Sequence, residues 1–308
     1  MAKKATNDQK ILLMTDTASD IPDADLTAGK IAMLPIPIAI EGKDYLERVD
    51  FTIPEFYERL AAAKEIPTTS HILSTTYLRA YEDAMEQGYT HIINTTITSR
   101  GSNMFEAAVL AKRQFREAHP DSVLEITVLD SGTYTVGYGY PIIEASKMVQ
   151  AGKTASEIIS YLDDYYSTAE IYFAAYSLEY VKKSGRVPAA AAFVGDVLGL
   201  RPIISIIDGK TTTVEKVRGD KNIVPHIVDH ALARTTDKKA PVVVVYGAVE
   251  QYRDEMAKEV AKRFGHQPKL RAQVGAAIAI NAGPKIVGVI VRGEKRLNTR
   301  ARESDYLT

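Results

Sequence analysis

The sequence predicts an α/β protein of two domains. An N-terminal three-layer α/β/α unit is built on a mainly parallel sheet, and a C-terminal α+β unit on a mixed sheet. Three observations carry this. At 308 residues the chain passes the length at which one hydrophobic core usually stops growing. Through the first half, short continuous apolar runs alternate with amphipathic helical segments, a rhythm that builds parallel sheets covered on both faces. In the second half hairpin patterns mix with helices, as in a sheet covered on one side. The character changes near 168–172, so the domains are expected at 1–169 and 170–308.

The first elements read clearly. "KILLMTDT" (10–17) and "IAMLPIPIAIEG" (31–42) are strand-like apolar runs closed by polar turns. "IPEFYERLAAAKE" (53–65) is a helix with Thr52 as N-cap and Pro54 in its first turn. In "STTYLRAYEDAMEQGY" (74–89), Tyr77, Tyr81 and Met85 share a helical face and Gly88 stops the helix. "THIINTTI" (90–97) and "LEITVLDS" (124–131) are strands separated by a helix from Met104 to about Ala118, and 139–169 makes two helices around Gly152.

Beyond the boundary, 170–186 gives a strand, a short helix and a basic turn, and "AAAAFVGDVLGL" (189–200) a very apolar helix. "RPIISIIDGKTTTVEKVRG" (201–219) is a hairpin turning on "DGK". Residues 240–248, 269–274, 276–283 and 286–293 read as strands around a helix at 251–265.

Hydrophobic content of 45% and charged content of 25% are ordinary for a globular chain. Thirty-eight basic against 39 acidic residues give a net charge of -1, so no basic field steers the chain to nucleic acid. The absence of cysteine removes thiolate chemistry and fits a reducing compartment. The apolar run Ile11–Met14 is too short for a signal-peptide core and no stretch reaches membrane-spanning length, so a cytoplasmic protein without stable membrane insertion is expected.

Motif chemistry is mostly excluded. His226 and His230 lie at i, i+4 but lack a recognisable third ligand, so no metal is expected. There is no G-x-S-x-G elbow, P-loop or G-x-G-x-x-G turn, and no catalytic residue or cofactor is assigned. What remains are four hydroxyl-bearing loops: "TDTASD" (15–20), "PTTSHILS" (67–74), "TTITSRGSN" (95–103) and "LDSGTYTVG" (129–137). Three follow strands, so they should gather at the carboxyl edge of the sheet, where ligands of doubly wound folds bind. Each loop has a bland reading as caps and turns. Together they suggest an anion held by neutral donors at a helix N-terminus, with Arg100 beside them either assisting or facing solvent.

Several separated segments resemble the DegV family of bacterial fatty-acid-binding proteins over about residues 10–293. "TDTASDIP" (15–22) is similar to T-D-S-T-S-D-L-P, and "TTSHIL" (68–73) to a T-S-Q-P-S loop. "TSRGSNMFEAA" (98–108) occupies the place of S-S-G-L-S-G-T-Y-Q-S-A, and "VLDSGTYTVGYG" (128–139) that of V-I-D-S-x-x-x-S-x-G-x-G. "LEYVKKSGRV" (178–187) resembles L-x-Y-L-x-K-G-G-R-I, "LGLRPIISIIDGK" (198–210) resembles L-x-I-K-P-I-L-x-x-x-D-G-K, and "INAGPKIVG" (280–288) resembles T-H-x-G-P-G-x-x-G.

The resemblance implies two α/β domains with a long-chain fatty acid between them. It implies carboxylate contacts from Thr69, Ser102, the backbone of Asn103 and Asn281, with Ser70 and Ser99 in the same loops. It also implies a carrier without catalysis of its own, presenting fatty acid to a separate kinase that makes acyl phosphate for phospholipid synthesis. Arg186 belongs to the surface associated with that partner, and Lys182 and Lys183 extend it. The alternative is an enzyme or kinase-associated subunit acting on a small carbonyl or phosphorylated substrate, since a related fold occurs in dihydroxyacetone kinases. Here Asn281 stands in place of histidine and Asn103 in place of glycine, an exchange that Asn tolerates best if the backbone needs positive φ.

Overall fold

A computed structural model describes residues 8–188, 199–297 and 299–306. The first sheet holds β1 (Ile11–Asp16), β2 (Ala32–Leu34), β6 (His91–Thr96) and β7 (Glu125–Asp130) in the order β2-β1-β6-β7, every neighbour parallel. All six residues of β1 are buried, because helices cover both faces of the sheet. α3 (Ser74–Glu86) and α4 (Met104–Ala118) pack together, as do α5 (Val136–Gln150) and α6 (Ala155–Tyr166). Tyr77 and Tyr81 are fully buried, and Gly88 ends the turn after α3 at φ 74°. α1 is the short helix Asp23–Gly29. α2 (Ile53–Ala62) begins at Thr52, the N-cap that its sequence predicts, and Glu55 completes a capping box there.

The apolar run 31–42 does not form one strand. Pro35 and Pro37 interrupt it, and its second half becomes β3 (Pro37–Ile40), which pairs antiparallel with β4 (Lys43–Leu46) and β5 (Thr68–Thr69) in a separate three-stranded sheet. That small sheet carries Thr69.

The second sheet is mixed, with the order β10-β9-β8-β13-β11-β12. Its strands are β8 (Ala169–Ala175), β9 (Leu200–Ile207), β10 (Lys210–Arg218), β11 (Val243–Tyr246), β12 (Leu270–Gln273) and β13 (Ile286–Arg292). Only β11 and β12 run parallel. α7 (Glu179–Ser184) follows β8. α8 (Ile223–Arg234) and α9 (Glu250–Phe264) cover one face, and side chains alternate along β8 accordingly. Tyr172 and Ala174 join the core under those helices, whereas Ile171, Phe173 and Ala175 face the N-terminal lobe.

The segment 276–283, read as a strand from its Ala–Ile alternation, is instead the helix α10 (Ala276–Ala282). The apolar helix expected over 189–200 lies, up to residue 198, outside the described residues. The chain's last segment returns to the first sheet. The Val128 N–H donates to Glu303 Oε1 at 2.7 Å, and the Ala301 N–H to Asp130 Oδ2 at 3.0 Å. No helix among the described residues is long and apolar enough to cross a membrane.

Candidate ligand-binding site

Three backbone segments converge between the lobes, each fixed by hydrogen bonds that do not involve the cavity. The first is the β5 loop. Thr69 sits opposite Ile38 in the antiparallel pair, and the Ser70 N–H donates to Pro37 O at 3.0 Å.

The second is the turn from β6 to α4. The Ile97 N–H donates to Asp16 Oδ2 at 3.2 Å. Ser99 gives both its N–H and its hydroxyl to Asp130, at 3.1 and 2.6 Å, and the Thr98 N–H donates to Thr133 O at 3.1 Å.

The third is α10, whose first N–H groups are held by carboxylates of the opposite lobe. The Gly275 N–H donates to Asp20 Oδ1 at 2.7 Å, and the Ala277 N–H to Glu47 Oε1 at 3.0 Å. Negative charge at a helix start is well placed electrostatically. The same helix carries Asn281, whose amide Nδ2 donates to Ala277 O at 2.8 Å.

These segments enclose a cavity of about 640 Å³, inside the range of roughly 300–1,000 Å³ usual for small-molecule sites. Thr69, Ser70, Ser99, Ser102, Asn103 and Asn281 all line it, and so does Arg186. Lys183 does not; it is exposed on α7. Asn103 has φ −81°, so its exchange for glycine meets no left-handed requirement. Arg100 and Arg186 line the cavity but are exposed, so neither forms a buried clamp.

Most of the rest of the wall is aliphatic and aromatic, with His71, Thr135 and Thr211 as further polar members. Thr211 of β10, Ile206 of β9, Ile171 and Phe173 of β8, Ile286 of β13 and Val245 of β11 present one face of the second sheet to it. This lining crosses five neighbouring strands, which at about 4.8 Å per strand spans roughly 19 Å. The cavity is therefore polar at the loops and, apart from Thr211, apolar across the sheet.

Not every hydroxyl loop serves the cavity. In 15–20 the Thr15 hydroxyl donates to Thr95 O at 3.0 Å and the Thr17 hydroxyl to Glu47 Oε2 at 2.6 Å, and only Ala18 of that loop reaches the wall. Thr95, Thr96 and Thr98 are likewise buried framework.

Behind the site lie three carboxyls that sequence reading left unassigned, Asp16, Asp20 and Glu47, all nearly inaccessible. Burial pushes the Asp16 carboxyl up to about 6, against the lowering effect of the Tyr138 hydroxyl and two backbone N–H groups. Burial also raises Asp20 and Glu47, and each carboxyl is raised further or held down by its neighbours' charges and hydrogen bonds. Glu47 sits in a polar stretch without a motif, and its partners Thr17 and Ala277 lie 30 and 230 residues away in sequence, so no local signal marks it.

On the outer face the two histidines singled out in the sequence share a carboxylate. His226 Nδ1 and His230 Nε2 each bond Glu215, at 2.9 Å, and among the described residues no group of three His, Cys, Asp or Glu side chains is placed to hold a metal ion.

Two lobes, each with its own sheet, closed over an elongated cavity with a hydroxyl-lined end define a small-molecule-binding α/β protein. The chain belongs to the DegV family, described as uncharacterised, whose model matches residues 10–294. A DegV domain-containing protein of Clostridium perfringens is 31% identical over 93% of this chain and 99% of its own length. The crystal structure of a stearic-acid-binding protein from Eubacterium ventriosum is 26% identical and superposes with a TM-score of 0.83, covering 92% of this chain and 98% of that one. A fatty-acid-binding DegV family protein from Thermus thermophilus shares the fold at 23% identity, with a TM-score of 0.81 over 93% of this chain and 100% of that one.

Proposed function

We propose that this chain is a carrier that binds a long-chain fatty acid between its lobes and presents the carboxylate to a separate fatty acid kinase for acyl-phosphate formation. The observation that carries the binding is the division of one cavity into an apolar length and a hydroxyl-bearing end. The stearic-acid-binding relative supports the same ligand class.

The magnitudes agree. An extended chain advances about 1.2 Å per backbone bond, so a lining of roughly 19 Å suits about sixteen carbons. Burying such a chain contributes about 0.8 kcal/mol per methylene, roughly 10 kcal/mol before ordering costs. The polar end then needs only to offset the desolvation of the carboxylate, which charge-assisted hydrogen bonds from Thr69, Ser102 and nearby N–H groups supply. Neutral donors leave charge on the oxygens that must attack a phosphoryl group. Lys182 and Lys183 are exposed beside Arg186 at the cavity mouth, a basic surface on which a kinase that handles phosphates would dock.

The test is extraction of the purified protein and mass spectrometry of the lipid. Co-purified long-chain fatty acid is expected for the wild type. The double variant Thr69→Ala/Ser102→Ala should retain about a tenth as much or less, since two hydrogen bonds to a charged acceptor are lost. Equal lipid in both proteins, or a polar metabolite in place of fatty acid, overturns the proposal.

A further inference from the structure

Tyr134 also lines the cavity, at a position for which the family pattern quoted for 128–139 prescribes no residue. Its hydroxyl lies directly over Gly101, and a Cβ at position 101 would collide with it. Gly101 is flanked by Arg100 and Ser102, and all three line the same cavity. The pattern quoted for 98–108 has leucine where this chain has Gly101, so the space that the phenol occupies exists because the side chain is missing. Gly101 and Tyr134 are a matched pair.

Two further features bear on Tyr134. Among the described residues none forms a hydrogen bond with its hydroxyl, although the side chain is mostly enclosed. The next residue, Thr135, is held at φ 52° and ψ −147°, a strained conformation for a β-branched residue. Its hydroxyl donates to Asp20 Oδ2 at 2.5 Å, and this buried bond holds the strained backbone in place. Strain of this kind persists where the surroundings over-determine it, and here it fixes the direction in which the chain presents Tyr134 to the cavity.

We infer that Tyr134 is a further head-group contact, its phenolic O–H donating to the bound carboxylate beside Ser102. This rests on the fatty-acid reading above. A phenol has a donor to give and few rotamers to freeze, and it stays protonated here: burial pushes it up to about 12, with the nearby Arg186 charge pulling the other way. It offsets the polar contact that changes character where Asn281 replaces histidine.

The experiment compares full-length wild type and Tyr134→Phe, stripped of lipid, by titration with hexadecanoate and with hexadecanol at pH 7.5. Loss of one charge-assisted hydrogen bond should weaken hexadecanoate binding about tenfold. Hexadecanol, which offers a neutral acceptor, should lose no more than about threefold. The ligand-free thermal midpoint should be unchanged, because the ring is kept. Equal hexadecanoate affinity in the two proteins overturns the inference and leaves the fatty-acid reading standing, as does an equal weakening for acid and alcohol, the mark of a packing role. Failure of the wild type to bind hexadecanoate overturns both.

Discussion

Asp16 shows how a single buried carboxyl can hold a site without touching it. Its Oδ1 accepts from the Tyr138 hydroxyl at 2.6 Å and the Ala18 N–H at 3.0 Å, and its Oδ2 accepts from the Ile97 N–H at the start of the turn that carries Ser99 and Ser102. Burial raises its pKa from 3.8 to about 6. The folded state therefore keeps this proton to higher pH than the unfolded chain does. Its contribution to stability is fully present below about pH 3.8 and is lost as pH rises through about 6, a change of about 3 kcal/mol. Denaturant titrations at pH 4, 5, 6 and 7 should show the stability of wild type minus that of Asp16→Asn falling across this window; a difference independent of pH would contradict the assignment. At this scale the sequence disclosed residue types but not partners. The resemblance names Thr69, Ser102 and Asn281, which line the cavity, whereas nothing in the sequence marks the framework duty of Thr15, Thr17 and Thr98. A hydroxyl that reaches a ligand and one that satisfies a buried carboxylate look alike in a sequence.

At the scale of elements, the hairpin β9–β10 and the helix α10 make opposite cases. The hairpin was readable because its turn is chemically local. Asp208 and Gly209 adopt φ 49° and 72°, the two positive angles that a type I′ turn demands and that Asp-Gly supplies. The tip of this turn also packs on the binding loop, where a Cβ on Gly209 would collide with Thr98 and lie 3.0 Å from Arg100 Cδ. Gly209→Ala should therefore cost about 1–3 kcal/mol in urea unfolding and also reduce fatty-acid retention. A stability loss with full retention would show that the hairpin does not brace the loop. The sequence of α10, AAIAINA, alternates small and larger residues from Ala277 to Ala282 and so reads as a strand, whereas what makes it helical is distant. Asp20 and Glu47, from the other lobe, satisfy the N–H groups at its start. The split of 31–42 between two sheets was likewise decided by tertiary pairing, with β3 drawn to β4 and β5 once the prolines end β2.

For the molecule as a whole, the parallel first sheet and the mixed second sheet follow from patterns visible in the chain, the alternation of strand and helix in the first half and the hairpin in the second. What the patterns do not reveal is that one hydrophobic cluster runs from the first sheet to the inner face of the second, with Ile171, Phe173 and Ile286 belonging both to that cluster and to the cavity wall. The Tyr57 hydroxyl, donating to Val274 O at 2.9 Å, adds a polar tie between the lobes. On the proposed fatty-acid reading, an acyl chain in the cavity would add its apolar surface to the core that the two lobes already share. A crystal structure of the protein loaded with hexadecanoate tests this most directly. The account predicts a chain crossing the second sheet over Ile206, Phe173 and Ile286, with its carboxylate within hydrogen-bond distance of the Thr69 and Ser102 hydroxyls. A chain lying outside this cavity, or one inside it with the carboxylate at the aliphatic end, would contradict it.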